Sequence, residues 1–100
     1  MTKSLKEKIS ILIKKFEIGK FQDVINDSLI ILKKNDNDFL WNLAGLSFQN
    51  IHQIEKSINC FENALGLNPK NFSASNNLGL SYKKLRNYSK AEEYLQISIE

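Results

Sequence analysis

The second half of the sequence repeats itself at a fixed offset of 34 residues. Residues of similar size or polarity recur at that offset, as in the pairs Gly45 and Gly79, Phe48 and Tyr82, Ser57 and Ala91, and Phe61 and Leu95. Further upstream an offset of 33 fits better and aligns Phe21 with Ile54 and Leu32 with Leu65. A unit of this length cannot bury its apolar face alone, so stacking of successive copies must supply the core.

Apolar residues within each copy recur with the period of an α-helix. The first stripe consists of Leu5, Ile9, Leu12, Ile13 and Phe16, which lie on one face of a helix. Gly19, the segment 35–38 and Asn68-Pro69 interrupt the stripes, and these residue types end or cap helices. The pattern predicts six helices of roughly 12 to 15 residues joined by short turns. We therefore expect an all-α solenoid of three hairpins.

The repeat resembles the tetratricopeptide repeat, whose pattern places Trp, Leu, Gly and Tyr along a first helix and Ala, Phe, Ala and Pro along a second. The resemblance implies a right-handed α-α superhelix of antiparallel helix hairpins. It is strong over residues 38 to 99 and weaker in the first copy, which keeps Gly19, Phe21, Val24 and Leu32. The motif residues that carry it are Trp41, Gly45, Phe48, Phe61, Ala64 and Pro69 in the middle copy, and Leu78, Gly79, Tyr82 and Ala91 in the third.

One domain is expected over residues 1–100, because domains usually exceed 50 residues. Its repeats span about 5–37, 38–71 and 72–100. The third copy stops before its expected proline, and Tyr94, Leu95, Ile97 and Ile99 are predicted to leave an apolar end. Solenoids usually cover such an end with a polar repeat. We therefore expect a longer array or self-association through the open C-terminal end.

In proteins of this family the first helices of successive hairpins line a concave groove that binds peptides. The resemblance therefore implies a protein or peptide ligand and a scaffolding role. It also leaves open that these repeats precede the catalytic domain of a larger enzyme, such as a glycosyltransferase or sulfotransferase. The groove candidates are Phe39, Asn42, Leu46, Gln49 and Asn50 on the third helix, and Ser73, Asn76, Asn77, Leu80, Lys83 and Lys84 on the fifth.

Two known groove chemistries of the family are only partly present. A ladder of asparagines can clamp a peptide backbone, because an amide both donates and accepts hydrogen bonds. Asn77 matches that ladder, but the middle copy has Leu43 there and Asn42 one place early, which predicts a broken ladder. A clamp for terminal carboxylates is not expected, since most of its positions here are apolar, including Ile9 and Ile13.

A short basic cluster, Lys83, Lys84 and Arg86, follows near the end of the predicted fifth helix. Cations at a helix C-terminus are favoured by the helix dipole, so the cluster is explained either structurally or as a patch for acidic peptides. The lysines of the first helix likewise fit a helix at a membrane surface or a helix stacked on the second, and stacking is the interpretation we favour.

No constellation in the sequence predicts catalysis, a metal or a cofactor. His52 lies in a predicted turn without a nucleophile beside it, and Cys60 fits a small packing residue. Asp36 and Asp38 lack the glycine and distal glutamate of a calcium loop, so capping explains them better. Trp41 and Tyr82 occupy motif positions that pack between helices. We expect a protein that is not an enzyme.

Composition sets the remaining limits. Fourteen basic and 11 acidic residues give a net charge of +3, too weak and too dispersed to indicate a nucleic-acid partner. The longest apolar run is four residues, Leu29 to Leu32, far below the roughly 18 that a transmembrane helix needs. The single cysteine cannot form an internal disulfide. A cytoplasmic protein without membrane partners is therefore predicted.

Overall fold

Six α-helices make up the chain in a computed structural model that describes residues 2–99. They are α1 (Leu5–Glu17), α2 (Phe21–Leu32), α3 (Asp38–Asn50), α4 (Ile54–Leu67), α5 (Phe72–Lys84) and α6 (Tyr88–Ile99). Residues 2–99 contain no strand. The helices stack into an elongated body of 48 × 25 × 20 Å. The predicted all-α helical repeat fold is confirmed.

Four helices begin at a side chain that caps them, including α6, where the Lys90 backbone N–H donates to Asn87 Oδ1 at 3.3 Å. Asn37 Oδ1 accepts a hydrogen bond of 2.9 Å from the Leu40 backbone N–H at the start of α3. Asn71 Oδ1 does the same for Ala74 N–H at the start of α5, at 3.0 Å. Ser4 caps α1 through Glu7 N–H. Each cap satisfies a backbone donor that has no partner within its helix, so these residues fix where the helices start.

The turn inside each hairpin contains one residue in the left-handed region. Gly19, His52 and Arg86 have φ values of 81°, 64° and 61°. In all three turns the next residue's N–H donates a 2.9 Å hydrogen bond to a carbonyl five residues earlier, as from Gln53 to Phe48. This closure is the Schellman type, for which glycine is the usual residue. The turn geometry therefore recurs even where glycine does not.

The core consists of three apolar clusters arranged along the stack. The first joins α1, α2 and α3 through Leu12, Val24, Leu32, Leu40 and Leu43. The second joins α2, α3 and α4 through Ile25, Ala44, Phe48 and Cys60. The third joins α4, α5 and α6 through Ile58, Phe61, Leu78, Tyr82 and Ala91. Each hairpin is thus buried against its neighbours in the chain.

Glycine allows the two helices of a hairpin to approach closely at two equivalent positions. A Cβ atom at Gly45 would lie 2.7 Å from Phe61 Cδ1 and 2.9 Å from Cζ. At Gly79 it would lie 2.8 Å from Leu95 Cγ. The Phe61 ring therefore occupies the space that a larger residue at position 45 would need. Ala64 is completely buried, and Ala91 nearly so.

Two sequence-based expectations need correction. Ile13 was expected on the buried stripe of α1 but is 36% exposed, because the buried face of this helix centres on Leu12. The C-terminal end is less apolar than predicted. Tyr94 stacks on Tyr82 with ring centroids 5.8 Å apart, and Leu95 packs over Gly79. Ile97 is exposed, and the side chain of Ile99 lies outside the described residues.

Candidate functional site

A row of hydrogen bonds between polar side chains joins α3 to α5. Asn77 Nδ2 donates to Asn42 Oδ1 at 3.0 Å. Asn42 Nδ2 in turn donates to Ser73 Oγ at 3.2 Å. Both asparagines are only 8% exposed. A buried amide without a partner would be costly, so the two side chains fix the position of α5 against α3. We call Asn42, Gln49, Ser73, Asn77 and Ser81 the amide seam.

The seam continues along both helices, two turns further on α3 and one turn further on α5. Gln49 Nε2 donates to Ser81 Oγ at 2.9 Å and to the Asn77 backbone carbonyl at 3.4 Å. The Ser81 hydroxyl also lies 2.9 Å from the Ser57 hydroxyl on α4. Three helices therefore meet at one buried serine.

The seam lies at the positions where the sequence predicts a broken asparagine ladder. The 34-residue offset aligns Leu43 with Asn77, but the residue that contacts Asn77 is Asn42. Leu43 instead faces the first apolar cluster and is 6% exposed. Both polar atoms of the Asn42 amide are occupied within the protein. Asn42 thus serves to hold α3 against α5.

Four of the predicted groove residues line one open cavity of about 560 Å³. They are Gln49 on α3 and Leu80, Lys83 and Lys84 on α5, and Tyr88 from the start of α6 completes the lining. Tyr88 is 60% exposed and Leu80 is 36% exposed. We call this surface the basic groove. The sequence did not indicate Tyr88 as a groove residue, because the 34-residue offset aligns it with Ile54, which fits a packing position.

The remaining predicted groove residues lie elsewhere. Phe39 is exposed at the start of α3, and Leu46 packs against the third cluster. Asn50 Nδ2 donates to the Leu46 carbonyl at 2.8 Å. Asn76 lies on α5 beside α6 and lines a neighbouring cavity together with Lys83 and Tyr88. The structure thus gathers four of the eleven predicted residues in the basic groove and joins Asn42, Ser73 and Asn77 in the amide seam.

The charge of the basic groove is not neutralised by its surroundings. Lys83 and Lys84 are exposed in the last turn of α5, where the helix dipole favours cations. Neither forms a salt bridge with a described residue. Among the described residues, the salt bridge joins Lys15 to Asp27, outside the groove. Nearby, the Lys90 ammonium lies 5.3 Å from the centroid of the Tyr82 ring. Burial and the neighbouring Glu62 and Glu93 raise the pKa of Tyr82, so this ring remains a neutral phenol.

In the structure, the residues considered for catalysis or metal binding lie in the core or in turns. Cys60 is buried, and burial raises the pKa of its thiol to about 11. His52 is exposed at a turn. Within residues 2–99, no three His, Cys, Asp or Glu side chains come together in a way that would hold a metal ion. None of the helices in that range combines the length and the apolar character needed to cross a membrane.

One family model matches part of the chain. A family model described as the TPR repeat matches residues 52–86, which include the second helix of the middle hairpin and the first helix of the third. Over those residues the sequence is similar to the TPR repeat. None of the curated proteins searched matches the chain.

Solved structures share the same TPR fold at low sequence identity. MamA superposes with a TM-score of 0.89 at 20% identity, over 94% of this chain and 56% of MamA. The second TPR of Spaghetti (RPAP3), bound to the HSP90 peptide SRMEEVD, gives a TM-score of 0.88 at 15% identity, over 93% of this chain and 87% of that one. A MamA structure from Desulfovibrio magneticus RS-1 gives 0.85 at 16% identity, over 92% and 52%. This chain therefore spans little more than half of the length of MamA.

Proposed function

We propose that the chain is a protein-interaction module whose basic groove binds a peptide segment with acidic and apolar side chains, without catalysis. The observation that carries the proposal is that Leu80, Lys83, Lys84 and Tyr88 line one cavity. Two cations and two apolar surfaces at one site match a ligand that alternates carboxylates with an aliphatic or aromatic side chain.

The chemistry of the groove sets the kind of contact. Lysine offers three hydrogen-bond donors and no acceptor, so Lys83 and Lys84 select acceptors that carry negative charge. Leu80 and Tyr88 supply apolar area that becomes buried when a side chain inserts between them. Because the lysines are exposed, their attraction for a ligand is screened by salt. Binding is therefore expected to weaken as ionic strength rises.

The amide seam supports this role by holding the groove walls. Gln49 lines the groove and is itself fixed by Ser81 on α5. A binding surface whose side chains are held by buried hydrogen bonds loses less entropy when a ligand binds. The second TPR of Spaghetti (RPAP3), a structure similar to this chain, is bound to the acidic peptide SRMEEVD, which supports the proposal of an acidic ligand. In this chain Leu43, Ile9 and Ile13 stand where a clamp for a terminal carboxylate would need polar groups, so we propose recognition of internal acidic residues.

The module fits a cytoplasmic setting, in which a free thiol such as Cys60 stays reduced. That localisation, like the groove ligand, is part of the proposal.

A display library of random peptides tests the proposed ligand class. Selection on the full chain is expected to enrich sequences with Asp or Glu near a Leu, Phe or Tyr. A selected peptide should then bind the Lys84→Glu and Leu80→Asp variants at least about tenfold more weakly, which corresponds to roughly 1.4 kcal/mol. Lys70→Glu is the matched control, because Lys70 is an exposed lysine outside the groove. Enrichment of basic or purely apolar peptides, or equal binding by Lys84→Glu and Lys70→Glu, would refute the proposal.

A further inference from the structure

The first helix of each hairpin ends on a residue of different charge. Helices α1, α3 and α5 are each 13 residues long, and their last residues are Glu17, Asn50 and Lys84. All three side chains are exposed, and the repeat offsets of 33 and 34 residues relate them. We call these residues the charge series. Equivalent positions of three successive hairpins thus present a negative, a neutral and a positive group.

The local structure around the charge series is the same in each hairpin. An aliphatic residue follows each member, and after it comes the residue with positive φ: Gly19, His52 or Arg86. Helices α1 and α3 meet in the first apolar cluster, and the amide seam joins α3 to α5. The three helix ends therefore follow one another in hairpin order along one edge of the stack.

Glu17 opposes the electrostatics of the helix that carries it. The C-terminus of a helix bears partial negative charge, which favours cations and disfavours carboxylates. Lys84 agrees with that preference at the end of α5, but Glu17 does not at the end of α1. Lys14 and Lys20 are near Glu17 in the chain, yet Glu17 forms no salt bridge within residues 2–99. An unfavourable charge without a compensating contact is typical of a functional position.

We propose that the ligand of the basic groove is a bipolar segment of a partner protein, with an acidic residue at Lys84 and a basic residue at Glu17. The proposal rests on the proposed function, which supplies the acidic end, and it adds a basic end at a defined distance. Gln49 lines the basic groove, and its neighbour Asn50 is the middle member of the charge series. The groove and the series are therefore continuous along the stack.

The spacing of the helices sets the distance between the two charges of the ligand. Packed helices lie about 8–10 Å apart, so Glu17 and Lys84, two hairpins apart, are separated by roughly 20 Å. An extended chain advances about 3.3 Å per residue and covers that distance in about six residues. The ligand therefore carries its basic residue about six positions from its acidic residue.

Asn50 determines what the middle of the ligand requires. Asn50 Nδ2 donates to the Leu46 carbonyl at 2.8 Å, whereas its Oδ1 accepts no hydrogen bond from the side chains and turn backbone groups of residues 2–99. An amide oxygen accepts hydrogen bonds from N–H groups and carries no net charge. The segment between the two charged residues of the ligand can therefore be uncharged and extended.

Synthetic peptides titrated into the full, isotope-labelled chain and followed by NMR at low ionic strength test the proposal. All of them contain the acidic element Glu-Leu-Glu and an uncharged spacer of Ser and Thr. The bipolar peptide has a Lys about six residues from that element, the neutral peptide has Gln there, and the short peptide has its Lys next to the element. Each is made in both sequence orders, because the charge series does not set the direction of the ligand chain, and the tighter order is compared.

The bipolar peptide is expected to bind at least about threefold more tightly than the neutral peptide, as suits one exposed ion pair. The short peptide should not show this gain. Glu17→Lys is expected to abolish the preference and to keep the fold, because a cation suits the helix C-terminus. Glu7→Lys is the matched control, since it makes the same charge change in the first turn of α1 and should keep the preference. Thermal melts check that both variants are folded.

The bipolar ligand and the basic groove fail in different ways. Binding of the neutral peptide that Lys84→Glu weakens, without any gain from the added Lys, would retain the basic groove and overturn the bipolar ligand. An equal gain for the short and bipolar peptides, or an equal loss in Glu7→Lys and Glu17→Lys, would indicate unspecific attraction and would also overturn it. If none of the peptides binds, both proposals are wrong.

Discussion

Asn77 and Asn42 form a side-chain hydrogen bond of 3.0 Å between α5 and α3, at positions where each is 8% exposed. Asn42 Nδ2 in turn donates a hydrogen bond of 3.2 Å to Ser73 Oγ. Removing the partner of a buried amide destabilises the fold, because water cannot reach the amide to replace the lost hydrogen bond. These two residues therefore fix the register between the middle and third hairpins more specifically than apolar contacts alone, which tolerate sliding.

The amide pair gives the first prediction. Asn77→Leu is expected to lower the free energy of unfolding by about 1–3 kcal/mol, because Asn42 Oδ1 is left buried without a donor. Urea denaturation followed by circular dichroism measures the change. The double variant Asn42→Leu with Asn77→Leu should be less destabilised than the sum of the two single variants, because the orphaned partner is removed. Additive effects would show that the hydrogen bond does not couple the two helices.

The close approach at Gly45 gives the second prediction. Gly45→Ala is expected to destabilise the chain by about 1–3 kcal/mol, since the new Cβ overlaps the Phe61 ring. Gly66, in the same hairpin on α4, has open space where a Cβ would lie, with no neighbouring atom within 4 Å. Gly66→Ala is therefore the matched control and should gain up to about 1 kcal/mol from helix propensity. Thermal melts that move in the same direction for both variants would contradict this packing.

The buried thiol of Cys60 gives the third prediction, which concerns pH. Burial raises the pKa of Cys60 from 9.0 to about 11, so the folded state keeps the thiol protonated after the unfolded state has ionised. Its contribution to stability is complete below pH 9 and is lost as the pH rises toward 11. The wild-type chain should therefore lose more stability than Cys60→Ala over that range. Parallel pH dependence in urea titrations of the two proteins would refute this.

The fold was predictable from the sequence because the helical period of the apolar residues and the positions of the helix-ending residues indicated the same six helices. Gly19 and Asn68-Pro69 end helices for reasons that act within a few residues. The sequence did not indicate left-handed turns at His52 and Arg86, since residues other than glycine adopt that conformation only uncommonly. Their neighbours impose it, through the hydrogen bonds of Gln53 to Phe48 and of Asn87 to Tyr82. Such closure is visible only once the hairpin is assembled.

The candidate site was only partly predictable from the sequence. A repeat offset shows which positions are equivalent, but it does not show which side chains meet across neighbouring helices. The offset aligned Asn77 with Leu43, but stacking brought Asn77 to Asn42. Tyr88 aligned with a packing residue and was therefore missed, although it lines the basic groove. Alignment within a repeat predicts equivalent positions, whereas a binding surface depends on how one repeat is translated and rotated against the next.

The division of the core into three clusters has a mechanical consequence. The clusters join α1 to α3, α2 to α4, and α4 to α6, so none of them connects the first hairpin to the third. Tension applied along the 48 Å axis passes from one cluster to the next in series, through Phe48 and Cys60 of the middle one. We therefore expect such a load to release one terminal hairpin while the rest of the stack stays folded.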